Sequence, residues 1–565
     1  MSIKIANNKL FLRVLPFSLL AWFLAVPIRT LNFGRLDWLQ TNDPATHYLG
    51  WAFFRLEPLF QFPFGKTSFY GNGYNSSFFM TDSIPLVGVP LKFLSNLLPQ
   101  HFQYLGIWIL LCFILQAYYG TRLVCHFVVN KTSQFLVSLL IIFSPIFYYR
   151  LVHQDQGHIQ LTSHFLILAA FVYYLELEPD NHKWIFLVPA SFLIQTYIAL
   201  MILVIFLASY ANVYWKNWKQ VDLSVAMRFL RVPIVTLIVL YTVGFFATSQ
   251  NAMAAGGYGI YKTDLLGLID PKTNISAKSI SFSWFFPDFN TSVGTDEGFS
   301  YLGFGVIVLV CIAVAILIKS RFAGIKISRS TSILFLATLL LAIFSLSNIV
   351  EFAGNRLFTF GMPEKAFNTF SYFRCSGRFI WPMVYLVVLI SAKVVESKIK
   401  STTLLCGIFA LCVVVQITEI LPSLSRVRDR YEKVEQTQVL ASRFDDVNAI
   451  DTFKLKQDLL QLSSKCIKVL PGGMSYGWID ISFIAYEIGA TTNQGYFSRL
   501  DESRFSKTEE STERDFLNSN LTKNCTYIVT PEFKKSHSFE IENVKAKSRL
   551  TIGRLQLFSN AAYSK

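Results

Sequence analysis

The sequence predicts an α-helical multi-pass membrane protein that ends in a small extracytoplasmic α/β domain. Three observations carry this. Of 565 residues, 53% are hydrophobic and only 15% are charged, against roughly 25% charged in an ordinary soluble domain. Mean hydropathy is +0.42. Apolar stretches long enough to span a bilayer recur as far as about residue 420 and then stop. The composition excludes a disordered chain, a coiled coil and an ordinary cytosolic enzyme.

Eleven stretches are candidate spans: 11–30, 103–129, 133–149, 159–176, 184–196, 197–215, 229–248, 300–318, 331–347, 379–396 and 402–420. The first follows Lys4, Lys9 and Arg13. Its apolar run is long and lacks a small-x-small cleavage site, so it reads as a retained helix rather than a signal peptide. The stretch 184–215 is too long for one span and breaks at Gln195, Thr196 and Tyr197. Basic loops at 122–131, 216–231, 319–329 and 393–400 put the N-terminus in the cytoplasm and the tail outside. The loop from Glu176 to Lys183 dissents, being net acidic.

The chain therefore divides into a membrane part, 1–420, and a soluble tail, 421–565. Three long loops, 29–102, 249–300 and 348–378, fall on the outer side, and ordered loops of that length are usually functional. Segment 83–98 is too short and too Pro-interrupted to span, and reads as an interfacial or re-entrant helix. In the tail, 446–463 looks helical, 467–473 is a strand ending in Gly-Gly, 481–490 is helical, and 526–531 and 554–558 are strands. Net charge is +15, but the tail holds 21 Lys+Arg against 18 Asp+Glu and the rest 30 against 18. The excess thus belongs to the membrane part, where basic inner loops and anionic lipid account for it. No nucleic-acid motif occurs. No CxxC pair occurs either, and a disulfide between the two tail cysteines, Cys466 and Cys525, is open if the tail is extracytoplasmic.

The residues that could carry chemistry cluster in the outer loops. Asp43 and His47 follow the first span; Asp43 is a base or ligand, or the Asp of an Asp-Pro turn. Arg55 and the neighbouring aromatics suit a membrane surface. Asp82 precedes 83–98, as an N-cap or an acid in its own right. His153, His158 and His164 sit at the mouth of two spans. The last two do not have the i,i+3 or i,i+4 spacing of a helical metal pair, but an ionisable group inside a span is usually functional. Tyr258, Tyr261 and Asp264 lie in a Gly-rich stretch that could meet a sugar or a lipid head. Asp296 and Glu297 are paired carboxylates before a span, where a helix N-terminus favours acids. Arg374 and Arg378 are four apart and would share a helix face. With Arg356 and Lys365 in the same loop they suit phosphate oxygens.

These residues resemble the GT-C superfamily of integral membrane glycosyltransferases, and more closely a bacterial family of GT-C-like multi-pass proteins. The motifs are TNDPATHYLGWAFFR at 41–55, FFMTDSIPL at 78–86, YRLVHQDQGHIQLTSHFLIL at 149–168, DEGFSYLGFG at 296–305 and FRCSGRFIWP at 373–382. The resemblance covers roughly residues 10–420. It implies transfer of a sugar, with inversion, from a polyprenyl-phosphate or pyrophosphate carrier. The acceptor would be an envelope glycan, lipid or protein at the outer face of a bacterial inner membrane. Asp43 matches the acidic position after the first span and would be the base, with Asp82 as second catalytic candidate. Arg374 and Arg378 would hold the leaving phosphate. His47, Arg55, His153, His158, His164, Tyr258, Tyr261, Asp264 and Glu297 would line the substrate site. The resemblance allows a divalent cation, Mg or Mn, without requiring one. The sequence has Asn-Asp where two adjacent acids are usual, and one carboxylate holds such an ion poorly. The competing functions are a flippase for a polyprenyl-linked glycan, which would carry charge inside several spans, and a non-catalytic envelope assembly protein.

Overall fold

The computed structural model describes residues 2–152, 157–215, 222–247, 257–272, 281–289, 291–321, 328–432 and 450–563. In chain order the elements begin with α1 (Ser2–Ala25), α2 (Asn42–Phe54), α3 (Pro85–Lys92), α4 (Leu105–Val124), α5 (Lys131–Ile142), α6 (Pro145–Val152) and α7 (Phe165–Glu176). They continue with α8 (Lys183–Phe192), α9 (Thr196–Tyr214), α10 (Leu223–Val243), α11 (Phe304–Lys319) and α12 (Arg329–Ser345). A hairpin of β1 (Ile349–Phe352) and β2 (Asn355–Thr359) precedes α13 (Glu364–Ser371), α14 (Trp381–Lys398) and α15 (Thr402–Glu432). The tail holds α16 (Thr452–Gln461), β3 (Cys466–Leu470), α17 (Trp478–Glu487), β4 (Thr491–Thr492), α18 (Glu502–Leu517) and β5 (Cys525–Val529). It ends with α19 (Pro531–Ser536), α20 (Ser538–Glu542), β6 (Ser548–Ile552) and β7 (Leu555–Ser559).

Among the described residues, eight helical stretches are long and apolar enough to cross a membrane. The expected spans 184–196, 300–318 and 331–347 are helices too, but shorter: α8, α11 and α12. The break expected in 184–215 is present. Gln195 is the N-cap of α9, and its side chain accepts from the Tyr197 N–H at 2.8 Å, which satisfies one of the orphan donors of a new helix start. The dissenting acid Glu176 is also explained. It accepts from Arg122 Nε at 2.8 Å and lies 2.8 Å from His126 Nε2, so the acidic charge of that loop start is paired with the basic segment 122–131.

The chain forms two compact units, and both are discontinuous in sequence. The first comprises Met1–Leu31, Leu105–Thr236 and Ala254–Tyr431. Its helices pack through small residues. A Cβ on Gly106 would lie 1.9 Å from the Thr30 carbonyl oxygen, so only glycine lets α4 approach the end of the first helical segment.

The second unit comprises Asn32–Tyr104, Leu237–Met253 and Glu432–Lys565. Its five-stranded sheet has the order β4-β3-β5-β7-β6. The β4, β3 and β5 strands are parallel, and β7 and β6 close the other edge antiparallel. Phe516 of α18, Tyr527 of β5 and Phe558 of β7 form its core with Val529 and Ile541. Cys466 and Cys525 face each other in register and are disulfide-bonded. Residues of the first long loop extend this sheet: Thr492 N–H donates to the Phe69 carbonyl, and Asn72 N–H donates back to Thr492, both at 2.8 Å. Segment 83–98 is α-helical over Pro85–Lys92, where Pro85 at the first turn fixes the start, and carries a short 3-10 turn at Ser95–Leu97.

Candidate functional site

In the first unit, the structure gathers charge at one common end of several apolar helices. Arg150 in the last turn of α6 donates to Glu297 Oε2 at 3.0 Å and to the Glu297 carbonyl at 2.7 Å. Arg378, just before α14, holds the same carboxylate from the other side, through Nε at 3.0 Å and Nη2 at 2.9 Å. All three are buried. The Arg150 guanidinium also lies over the rings of Tyr149 and Trp381, at 4.9 and 4.7 Å, and Arg378 over Tyr197 at 4.7 Å. Two guanidiniums on one carboxylate, each backed by an aromatic face, is an arrangement that keeps buried ions satisfied.

The loops around this cluster are tied by close backbone approach. Gly377 N–H donates to the Tyr261 carbonyl, and Thr263 Oγ1 donates to the Gly377 carbonyl, both at 3.0 Å. A Cβ on Gly377 would meet Gly298 Cα at 2.5 Å, so glycine is required there. Lys262, buried, pairs with Glu351 at 3.1 Å. Beside the cluster, His164 is fully buried, stacked on Trp381 at 4.5 Å. Its Nδ1 is 2.9 Å from the Tyr385 hydroxyl. Its Nε2 has no hydrogen-bond partner among the described residues.

Several expectations for this unit change. Arg374 and Arg378 do not share a helix face. Arg374 lies between α13 and a 3-10 turn at Ser376–Ile380, half-buried, with its guanidinium 5.7 Å from the Tyr261 ring. Asp296 and Glu297 do not head a span. They lie in a 3-10 turn, Thr295–Gly298, and α11 starts only after Gly303, whose φ of 86° breaks the path between them. Asp264 is committed to the β1–β2 turn: it accepts from Ala353 N–H and Gly354 N–H at 3.0 Å each. Tyr258 is enclosed by the rings of Phe344, Phe367 and Phe370. His158 donates its backbone N–H to the Arg150 carbonyl at 2.8 Å. His153 lies outside the described residues.

The sequence reading missed Arg150. The signal was there, an arginine inside the apolar run PIFYYRLV, since charge within a span is rare and usually functional.

The second unit holds the other candidates. Residues 44–54 of α2 are all buried, and Asp43 in the first turn is half-buried. His47, one turn on, is fully buried, with Nδ1 2.5 Å from the Asp43 carbonyl. Tyr48 stacks on Phe483 of α17 at 5.6 Å, so α2 is held from within its own unit. Arg55 is a structural clamp: its guanidinium donates to the carbonyls of Pro99 and Gln100 at 2.8 Å and of Ser95 and Leu98 at 3.1 Å. Asp82 is half-buried at a φ of 56°. It is not the cap of α3, because Ile84 holds that position and Pro85 starts the helix. Among the described residues, no three His, Cys, Asp or Glu side chains group as a metal site.

No curated protein and no solved structure matches the chain. A family model described as "DUF6311 C-terminal domain" matches residues 458–558. A second, described as "Domain of unknown function (DUF6311)", matches residues 15–421, and on that extent the chain belongs to the DUF6311 family.

Proposed function

We propose that this protein is a membrane-embedded glycosyltransferase. It moves a sugar from a polyprenyl-phosphate or pyrophosphate carrier to an envelope glycan, lipid or protein. The observation that carries the reading is Asp43: a half-buried carboxylate in the first turn of a helix whose residues 44–54 are all buried, at the acidic position the GT-C resemblance gives. In the reaction, Asp43 takes the proton of the acceptor hydroxyl as that oxygen attacks the anomeric carbon. The bond from that carbon to the phosphate oxygen breaks, and the lipid phosphate leaves with the electron pair, inverting the centre. In the first unit, Arg374 is half-buried beside Tyr261 and carries the charge that suits a phosphate oxygen. Arg378 is engaged by Glu297 and acts by positioning that segment.

The compartment follows the same proposal: a bacterial inner membrane, N-terminus inside and tail outside. The disulfide between Cys466 and Cys525 supports the tail's placement, because such bonds persist in oxidising compartments. A second reading, a flippase of polyprenyl-linked glycan, is favoured by one observation. Arg150, His164 and Arg378 lie inside three stretches of spanning length, Lys131–Val152, Ile159–Glu176 and Ser376–Lys398.

The test is transfer by the purified full chain in detergent, from a panel of polyprenyl-phosphate sugars to cell-envelope extract. Asp43→Asn is expected to cut transfer by about 10²-fold or more while donor binding persists. Equal transfer by both proteins removes Asp43 as base and moves the role to Asp82. Donor binding with movement of the lipid across a bilayer, and no transfer, replaces the transferase with the flippase.

A further inference from the structure

The second unit carries a cleft that no step above uses. Its volume is about 520 Å³ and its lining is Pro531, Lys534, Lys535, Ser538, Thr551, Gly553, Arg554 and Gln556. It is open to solvent, and most of its lining residues are exposed. Three cations line it and no carboxylate does. Neither Lys534 nor Lys535 has a carboxylate within ion-pair distance among the described residues, whereas the nearby acid Glu513 is paired with His537 at 3.1 Å. Three hydroxyl or amide side chains, Ser538, Thr551 and Gln556, complete the wall. Gln556 Oε1 is shielded from solvent and has no hydrogen-bond partner among the described residues. The amide can turn about its last bond and present its NH₂ instead, a donor suited to an anion.

The position in the sheet points the same way. Val529 at the end of β5 is in register with Gln556 at the start of β7, and the β6–β7 turn passes through Gly553 and Arg554. The cleft therefore lies outside the carboxyl end of β5, one of the parallel strands. Open α/β sheets bind ligands outside the carboxyl ends of their parallel strands, at the switch in strand order, which here falls between β3 and β5. The carboxyl end of the neighbouring parallel strand β3 is already filled: Gly472 N–H donates to Glu509 Oε2 at 2.5 Å, and the Tyr74 hydroxyl donates to Oε1 at 2.8 Å. The basic cleft lies at the β5 end of that edge.

We propose that this cleft binds an acidic saccharide, a hydroxylated body carrying carboxylate or phosphate. Lys534 and Lys535 take the acidic group, and Ser538, Thr551 and Gln556 take the hydroxyls. The site is non-catalytic and does not depend on the transferase reading. Within that reading it holds the acceptor.

The experiment titrates the purified full chain with four probes: an oligogalacturonate, a neutral malto-oligosaccharide of the same length, inorganic phosphate and a short-chain anionic phospholipid. Expected is binding of the oligogalacturonate that weakens as salt rises, weaker binding of phosphate, and none of the neutral sugar. Lys534→Ala/Lys535→Ala/Arg554→Ala is expected to weaken binding by about tenfold or more. Lys534→Arg/Lys535→Arg keeps it. An unchanged melting temperature for both variants separates lost binding from lost fold. Equal binding of acidic and neutral sugar, or unchanged binding by the triple variant, overturns the proposal. So does a short-chain anionic phospholipid that displaces the oligogalacturonate and is bound more tightly, since the occupant is then a lipid headgroup. No probe is turned over, so a failed transfer assay leaves this result standing.

Discussion

The two compact units join distant chain segments by different means. In the first, a buried carboxylate does it: Arg150 and Glu297 are 147 residues apart, and Glu297 and Arg378 are 81 apart. In the second, a covalent bond does it, between cysteines 59 residues apart on two neighbouring strands. The difference follows from the surroundings. At the end of an apolar helix bundle the local dielectric is low, so oppositely charged groups, once buried together, are held firmly and tolerate no missing partner. In a small sheet domain the core supplies less, and a cross-link that constrains the unfolded chain contributes more.

The sharpest way to break this contrast is to remove the central carboxylate. Glu297→Ala leaves two buried guanidiniums facing each other, and is expected to cost the first unit roughly 3–5 kcal/mol. Thermal unfolding in detergent, with limited proteolysis to tell the units apart, reads it. The combined change Arg150→Met, Glu297→Leu and Arg378→Met should regain most of that loss, because charge and desolvation cost leave together. A melting curve unmoved by Glu297→Ala would mean that the helices, not the ions, hold these segments.

Next in size is Cys466→Ser with Cys525→Ser. Opening a loop of that length costs roughly 4 kcal/mol in the chain-entropy account, a figure that measured disulfides often fall below. The loss should appear in the second unit alone. Thiol labelling of the unreduced wild-type protein, with and without reductant, shows whether the bond forms in the cell. Labelling of both cysteines without reductant would remove the contrast between the units, and with it the support for an extracytoplasmic tail.

What the sequence revealed divides along physical lines. Apolar length and a helix-capping Gln195 are local, so the apolar helices and the break before Thr196 could be read directly, though three of the eleven expected spans are helices too short to count among the eight of spanning length. The tail strands at Cys466–Leu470 and Cys525–Val529 stood out for the same reason, as apolar runs bounded by turn residues. Pairing across the chain is not local. Nothing near Arg378 says that its partner is Glu297, and the spacing from Arg374 to Arg378 suggested a helix that a 3-10 turn replaces. Arg55 and Asp264 looked like ligand contacts because charged side chains in loops usually face water. Here each satisfies backbone groups that a turn would otherwise leave unpaired. The strand-like pairing of Phe69–Asn72 with Thr492 could not be read either, because those residues carry no alternating pattern of their own.

The smallest effect concerns how a lone cation is tolerated inside the second unit. Lys92 is 3% exposed, with Nζ 3.9 Å from the centre of the Phe54 ring and 5.3 Å from that of Phe64, and has no hydrogen-bond partner among the described residues. Burial pulls its pKa down to about 8, against a smaller upward pull from Glu57. An amine whose pKa falls on folding binds fewer protons folded than unfolded between pH 8 and its ordinary value of 10.5, so stability rises with pH across that window. Below about pH 8 the ammonium is charged in both states and the cost is constant. Lys92→Met should therefore stabilise the unit at pH 7 by roughly 2 kcal/mol once the lost cation–π attraction is allowed for. Its advantage should shrink between pH 8 and 10.5 and vanish above that. Urea unfolding of both proteins across this range decides it. A variant less stable than wild type at pH 7 would show that the Phe54 and Phe64 faces outweigh desolvation, and that an aromatic box serves this unit as the carboxylate serves the first.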